Sequence, residues 1–124
     1  MEKASPHVAP DYAHYRQIKD AVEANPLTNK RHGINMAHYR CSHIQVVPSG
    51  GANPTVVVEW WSEAAGKFVT EHTAISKAGI GINVPYEFTV EPRGRIMSVR
   101  VPAGCAAGHT VDIYVAGYDM DHSL

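Results

Sequence analysis

The chemistry-bearing residues of this 124-residue chain are, first, its two cysteines and eight histidines. The densest grouping pairs His38-Tyr-Arg-Cys41-Ser-His43 with Cys105-Ala-Ala-Gly-His109. On a strand, Cys41 and His43 share a side. If the two segments met, two thiolates and two imidazoles would form a set suited to zinc. Neither half has the spacing of a zinc motif, so the expectation is no metal. Cys41 then reads as a small apolar residue and Cys105 as an incidental loop residue.

Other chemistry is sparse. The Cys105-x3-His109 loop resembles the copper loop of cupredoxins over those residues alone. No methionine follows His109 within the loop, so the third ligand is missing. The chain has no G-x-S-x-G elbow, phosphate loop or H-E-x-x-H helix. Glu59, Glu63, Glu71, Glu87 and Glu91 could supply the carboxylate pair of a glycoside hydrolase. Most of them fall on outward strand positions, so a solvated sheet face is the expectation. The expectation is no enzyme and no cofactor.

Aromatic residues point to binding instead. Trp60-Trp61 puts one indole on each face of a strand, so Trp61 is a candidate anchor for a sugar or a protein. Tyr114 and Tyr118 lie on the face opposite Val111, Ile113 and Val115, with Asp112 and Ala116 between them. That face is less polar than a solvated face needs to be, and it reads as a subunit contact or as packing for a second sheet.

These residues need elements to hold them. Residues 1–10 read as an extended arm. From Asp11 to Asn25 the spacing of Tyr12, Tyr15, Ile18 and Val22 predicts a short helix with a tyrosine-rich stripe. Asp11 would cap it and Asn25-Pro26 would stop it. Such a helix is marginal alone and requires something to pack on, which makes its stripe a second candidate partner surface. After Gly33 the pattern alternates. Ile34–Val47 predicts one long or two short strands, followed by strands over Pro54–Trp61, Lys67–Thr73, Ile82–Val90, Arg95–Val101 and Thr110–Val115. Ala74–Ile80 supplies one more. In Ile82–Val90 the inward set is Ile82, Val84, Tyr86, Phe88 and Val90, and Pro85 marks an edge or bulge. Clean alternation is the habit of antiparallel sheets with one wet face. The class is all-β, an antiparallel sandwich of seven or eight strands, with a jelly roll as first choice and an immunoglobulin-like sandwich second. Residues 1–33 form the arm and residues 34–124 the sandwich domain.

Charge and composition limit the partners. The net charge is −1, divided as +2 over residues 1–40 and −3 over residues 41–124. A basic leader on an acidic body lacks the dense basic patch of a nucleic-acid binder. No run approaches the roughly 20 apolar residues that span a bilayer. The first residues have no apolar signal region, so a reducing cytoplasm and free thiols are expected.

In outline the chain resembles the capsid decoration, or cement, proteins of tailed bacteriophages. The likeness lies in the arm with its short helix, the compact β body and the last strand in TVDIYVAGYDMDHSL. The pair of strands in INVPYEFTVEPRGRIMSVRVPAG has the same look. The resemblance implies a non-enzymatic virion protein, assembled in the host cytoplasm, that stabilises the shell of major capsid protein. It also implies a dimer or trimer whose arm bridges neighbouring subunits. Partner-binding candidates are Tyr12, Tyr15, Ile18, Val22, Trp61, Tyr114 and Tyr118. The alternative is a carbohydrate- or receptor-binding sandwich, or a head–tail component of the same virion.

Overall fold

Strands dominate wherever β-branched residues alternate with polar ones. The computed structural model describes residues 30, 33–91 and 95–118, and the backbone of residues 11–18. Among these, nine strands form: β1 (Asp11–Ile18), β2 (Ile34–Asn35), β3 (Cys41–Ser49), β4 (Thr55–Ser62), β5 (Lys67–Val69), β6 (Ile75–Lys77), β7 (Tyr86–Val90), β8 (Ile96–Ala103) and β9 (Thr110–Tyr118). They make two sheets. One has four strands in the order β1-β9-β3-β7, and the other has β2-β8-β4-β5 with β6 also paired to β4. Every pairing is antiparallel. The protein is an all-β antiparallel sandwich.

The core lies where the inner faces meet. Ile44 and Val46 from β3 and Val111, Ile113 and Val115 from β9 face Val56, Val58 and Trp60 from β4 and Met97, Val99 and Val101 from β8. All are essentially sealed from solvent. Each such side chain contributes about 1.5–3 kcal/mol relative to exposure, against the entropy of ordering its backbone. The inward sets expected for β4, β8 and β9 are the ones observed, because a slip of one residue would carry each whole set to the outer face.

Proline sets two boundaries. The β3–β7 ladder ends at Val46, two residues before Pro48, which brings no N–H to extend it. Between the pairs Thr55–Ala103 and Val57–Arg100 the register slips, with the extra residue on β8 beside Pro102.

Three expectations are corrected. Residues 11–18, expected to open a helix, are strand β1, paired residue for residue with β9 from Asp11↔Gly117 to Ile18↔Thr110. A short isolated helix has little to stabilise it, whereas β9 offers a full row of backbone groups, and tyrosine suits a strand. Residues 19–25 of that expected helix lie outside the described residues. The strand expected over Ile82–Val90 begins only at Tyr86, so Pro85 precedes it and Ile82 and Val84 lie in a loop. The strand expected over Lys67–Thr73 stops at Val69. The long segment Ile34–Val47 divides into β2 and β3, and Ala74–Ile80 contains β6.

Candidate functional site

Short, polar-sequence loops close one end of the sandwich, and hydrogen bonds tie three of them together. The Asn53 N–H donates to the Gly104 carbonyl at 3.0 Å, joining the β3–β4 and β8–β9 loops. The Asn53 Oδ1 accepts the Gly81 N–H at 3.2 Å. The Asn83 Oδ1 accepts the Gly51 N–H at 2.7 Å. The Asn83 N–H donates to the Ala52 carbonyl at 2.8 Å, and the Val84 N–H to the Gly81 carbonyl at 3.2 Å. Asn83 sits at φ 60°, a left-handed conformation that asparagine tolerates better than most residues.

This strapping has a consequence for the aliphatic residues between the tie points. Ile80 and Ile82 are 68% and 67% exposed, and Val84 39%. Their backbone is held, so they cannot turn into the core. Isolated surface aliphatics are ordinary, but three on five residues of a fixed loop form a patch. The next residue, Pro85, also lines a shallow groove of about 240 Å³ with Gln45, Val46, Val47, Tyr86 and Glu87. Val47 adds a further exposed aliphatic side chain there. The alternation expected over Ile82–Val90 puts Ile82 and Val84 inside, and the structure leaves both exposed. The available signal was the Gly79, Gly81 and Asn83 interleaved with them, because turn formers at every second position oppose a strand.

The candidate partner residues from the sequence are scattered. Trp61 is half-buried, with Phe68 edge-on at 5.2 Å and the Lys30 ammonium 5.9 Å from its ring centroid. Its indole N–H donates to Glu63 Oε2 at 2.9 Å, and Lys30 donates to the same oxygen at 2.6 Å. The Lys30 hydrogen bond and charge hold the Glu63 carboxyl below its ordinary pKa. Tyr114 is 38% exposed in the middle of β9, opposite Gln45 on β3, while Tyr118 lies at the strand end opposite Cys41. Ala116 between them is buried. Tyr12, Tyr15 and Ile18 occupy β1 positions opposite Ala116, Ile113 and Thr110. A spacing of three makes a stripe on a helix and none on a strand. Val22 lies outside the described residues.

The two halves of the cysteine–histidine grouping do not meet. Cys41 pairs with Tyr118 at one end of the β3–β9 ladder, and Thr110, just after His109, pairs with Ser49 at the other. Eight strand positions separate them, roughly 27 Å at about 3.4 Å per residue. His43 Nε2 instead lies 2.7 Å from Glu87 Oε1. His109 Nδ1 accepts the Ala106 N–H at 3.0 Å, closing its own loop. Both thiols are free, and burial pushes the Cys105 thiol up. No group of three metal-ligating side chains gathers among the described residues.

Three of the carboxylates, Glu59, Glu63 and Glu71, are each engaged with a cation. Glu59 is only 4% exposed and accepts Arg100 Nε at 2.7 Å and Nη2 at 3.2 Å. Glu71 accepts the Trp60 indole N–H at 3.1 Å and lies 3.1 Å from Arg95, whose guanidinium stacks 4.8 Å from the Trp60 ring centroid. Glu59 therefore departs from the solvated face expected of it. It is buried because a bidentate guanidinium satisfies it. This arrangement fixes side chains at the sandwich end and across β4–β8.

No family model matches the chain, and no curated protein matches it. Among solved structures it is similar to the K3 adhesin domain of Lys-gingipain from Porphyromonas gingivalis, with 14% identity and a TM-score of 0.45. That match covers 68% of this chain and 60% of the other, so the chain spans under two thirds of it. A Bacillus endospore appendage pilus protein has 15% identity and a TM-score of 0.42, covering 90% of this chain and 88% of the other. The SPBc2 prophage-derived protein YomS has 13% identity and a TM-score of 0.42, covering 87% and 94%. With every score below 0.5, these likenesses carry no argument about function. The site is defined by this chain's own geometry, which is a rigid loop end presenting Ile80, Ile82 and Val84.

Proposed function

We propose that this chain is a non-enzymatic structural protein of a virion, a decoration protein that docks on the shell of major capsid protein. The observation that carries the reading is the fixed aliphatic loop. A surface of Ile80, Ile82 and Val84 held out by Asn53 and Asn83 suits apolar docking on a protein, with little ordering entropy left to lose. The strand order β1-β9-β3-β7 over β2-β8-β4-β5 supports assigning the sandwich as a jelly roll, since the chain crosses between sheets at most connections. The outline resemblance to cement proteins adds the lattice, where many weak identical contacts accumulate avidity.

Two measurements test this reading. Quantitative mass spectrometry of purified particles gives the copy number, which is high for a shell protein and low for a tail or vertex component. Co-sedimentation with those particles compares the natural chain with an Ile80→Ser/Ile82→Ser variant. The variant keeps its fold, because both side chains are solvent-exposed, and loses particle binding. Undiminished binding of the variant, or a copy number of only a few, overturns the proposal.

A further inference from the structure

We infer that the outer face of the four-stranded sheet carries a binding groove for one neutral sugar ring, formed by Gln45, Val47, Pro85, Glu87 and Tyr114. The groove lies on β3, β9 and the start of β7, and it does not depend on where the Ile80–Val84 loop docks.

Strand register assembles the polar groups. Ile44, Val46, Ile113 and Val115 point into the core, so Gln45, Val47 and Tyr114 point away from it. Gln45 stands opposite Tyr114 on one side and Glu87 on the other. Phenol, amide and carboxylate therefore form one row across three strands, roughly 10 Å long at about 4.8 Å per strand. The β3–β7 ladder ends at the pair Val46–Tyr86, and the next residue on the β7 side is Pro85, which has no N–H to continue it. At that point the groove of about 240 Å³ opens, lined by Val47 and Pro85 as well as Gln45 and Glu87. Sites for drug-sized ligands run from about 300 to 1,000 Å³, so this one suits a single ring.

The mixture of groups selects the ligand. A sugar ring carries hydroxyls that donate and accept, set on a frame of apolar C–H groups. The Gln45 amide both donates and accepts, and the Glu87 carboxylate accepts. Val47 and Pro85 supply an apolar wall, and Tyr114, 38% exposed like Val47, adds an aromatic ring for the C–H frame. His43 Nε2 donates to Glu87 Oε1 at 2.7 Å. That bond orients the carboxylate and shares its charge, which makes it an acceptor for a hydroxyl rather than a seat for a cation. The groove is also held in advance. Asn83 binds the Gly51 N–H, Val84 binds the Gly81 carbonyl, and the Pro85 ring fixes its own backbone angle. Little ordering entropy is left to lose on binding.

Amide NMR of the isotope-labelled full chain tests the groove. The probes are the methyl glycosides of glucose, galactose and mannose, and N-acetylglucosamine, each titrated into the millimolar range. The expected result is that at least one sugar shifts the backbone amides of Gln45, Val47 and Glu87, and the Gln45 side-chain amide, along a saturating curve. Gln45→Ala combined with Glu87→Ala then weakens that binding by about tenfold or more. Both side chains are exposed, and the rest of the spectrum reports the fold. If the pair does not fold, Val47→Glu replaces it and removes the apolar wall. Groove amides that stay in place with every sugar overturn the proposal, as do shifts confined to the surroundings of Trp61 or shifts that the variant retains. Arginine methyl ester is the cationic control, and groove shifts with it but not with the sugars overturn the proposal too. Ile80→Ser/Ile82→Ser leaves the sugar titration unchanged, so failure of the groove and failure of particle docking are read separately.

Discussion

Asn83 and Gly51 are bound by a side-chain-to-backbone hydrogen bond of 2.7 Å that fixes the loop between β6 and β7 against the loop between β3 and β4. Asn83 does this from a left-handed backbone at φ 60°. Two contributions are thus combined in one residue and can be separated. Asn83→Gly keeps the backbone conformation and loses the acceptor, costing about 1 kcal/mol. Asn83→Ala loses the acceptor and adds left-handed strain, for a total of about 2–3 kcal/mol. Urea denaturation of the two variants measures the difference.

Gly104 and Gly66 both have positive φ, at 87° and 68°, but differ in surroundings. A Cβ at Gly104 would lie 2.1 Å from the Asn53 carbonyl oxygen, whereas one at Gly66 meets nothing within 4 Å. Gly66→Ala is expected to cost about 1 kcal/mol from backbone strain alone. Gly104→Ala must also part the β3–β4 and β8–β9 loops and breaks their Asn53–Gly104 bond, so its loss exceeds about 3 kcal/mol. Equal melting temperatures for the two variants would contradict this account.

Glu59 and Arg100 form a half-buried pair across the β4–β8 ladder, with side chains 5% and 24% exposed. Glu59→Gln leaves the guanidinium facing a neutral amide and is expected to cost about 2–3 kcal/mol. Replacing both, as Glu59→Leu with Arg100→Met, recovers most of that loss because no charge is left without a partner. A double-mutant cycle by chemical denaturation reads the coupling directly.

Tyr86 gives an alkaline signature. Burial pushes its pKa from 10.0 up to about 12, and its hydroxyl donates to the Pro54 carbonyl at 2.7 Å. The fold holds the protonated form, while the unfolded chain releases the proton near pH 10. Its contribution is intact below about pH 10 and is lost as pH rises toward about 12. Tyr86→Phe is less stable at neutral pH by about 1 kcal/mol and loses less stability on going alkaline. Denaturant midpoints of the two proteins across that interval therefore converge. Parallel curves would refute the shift.

What the sequence determined by itself was the set of inward faces. In β8 and β9 the alternation of Val, Ile and Met with largely polar residues has one solution, because shifting a strand by one position exposes its entire apolar set, and in β4 the same period puts Val56, Val58 and Trp60 on one face. The sandwich class and the inward Trp60 with its outward neighbour Trp61 followed from that same period. Tertiary structure decided the rest. Tyr12, Tyr15 and Ile18 fit a helical spacing as written, and only the open edge of β9 makes their segment a strand, since pairing energy comes from a distant segment. Whether the segments of Cys41 and Cys105 meet was not legible in the sequence, and the β3–β9 register places them at opposite ends of a ladder. Ile82 and Val84 matched the alternation of Tyr86 and Phe88, but the Gly81 N–H donates to Asn53 and the Gly51 N–H to Asn83, which ties this segment to the β3–β4 loop, and the strand begins only at Tyr86. Local periodicity records which residues a segment can bury, whereas long-range hydrogen bonds determine which segment meets which.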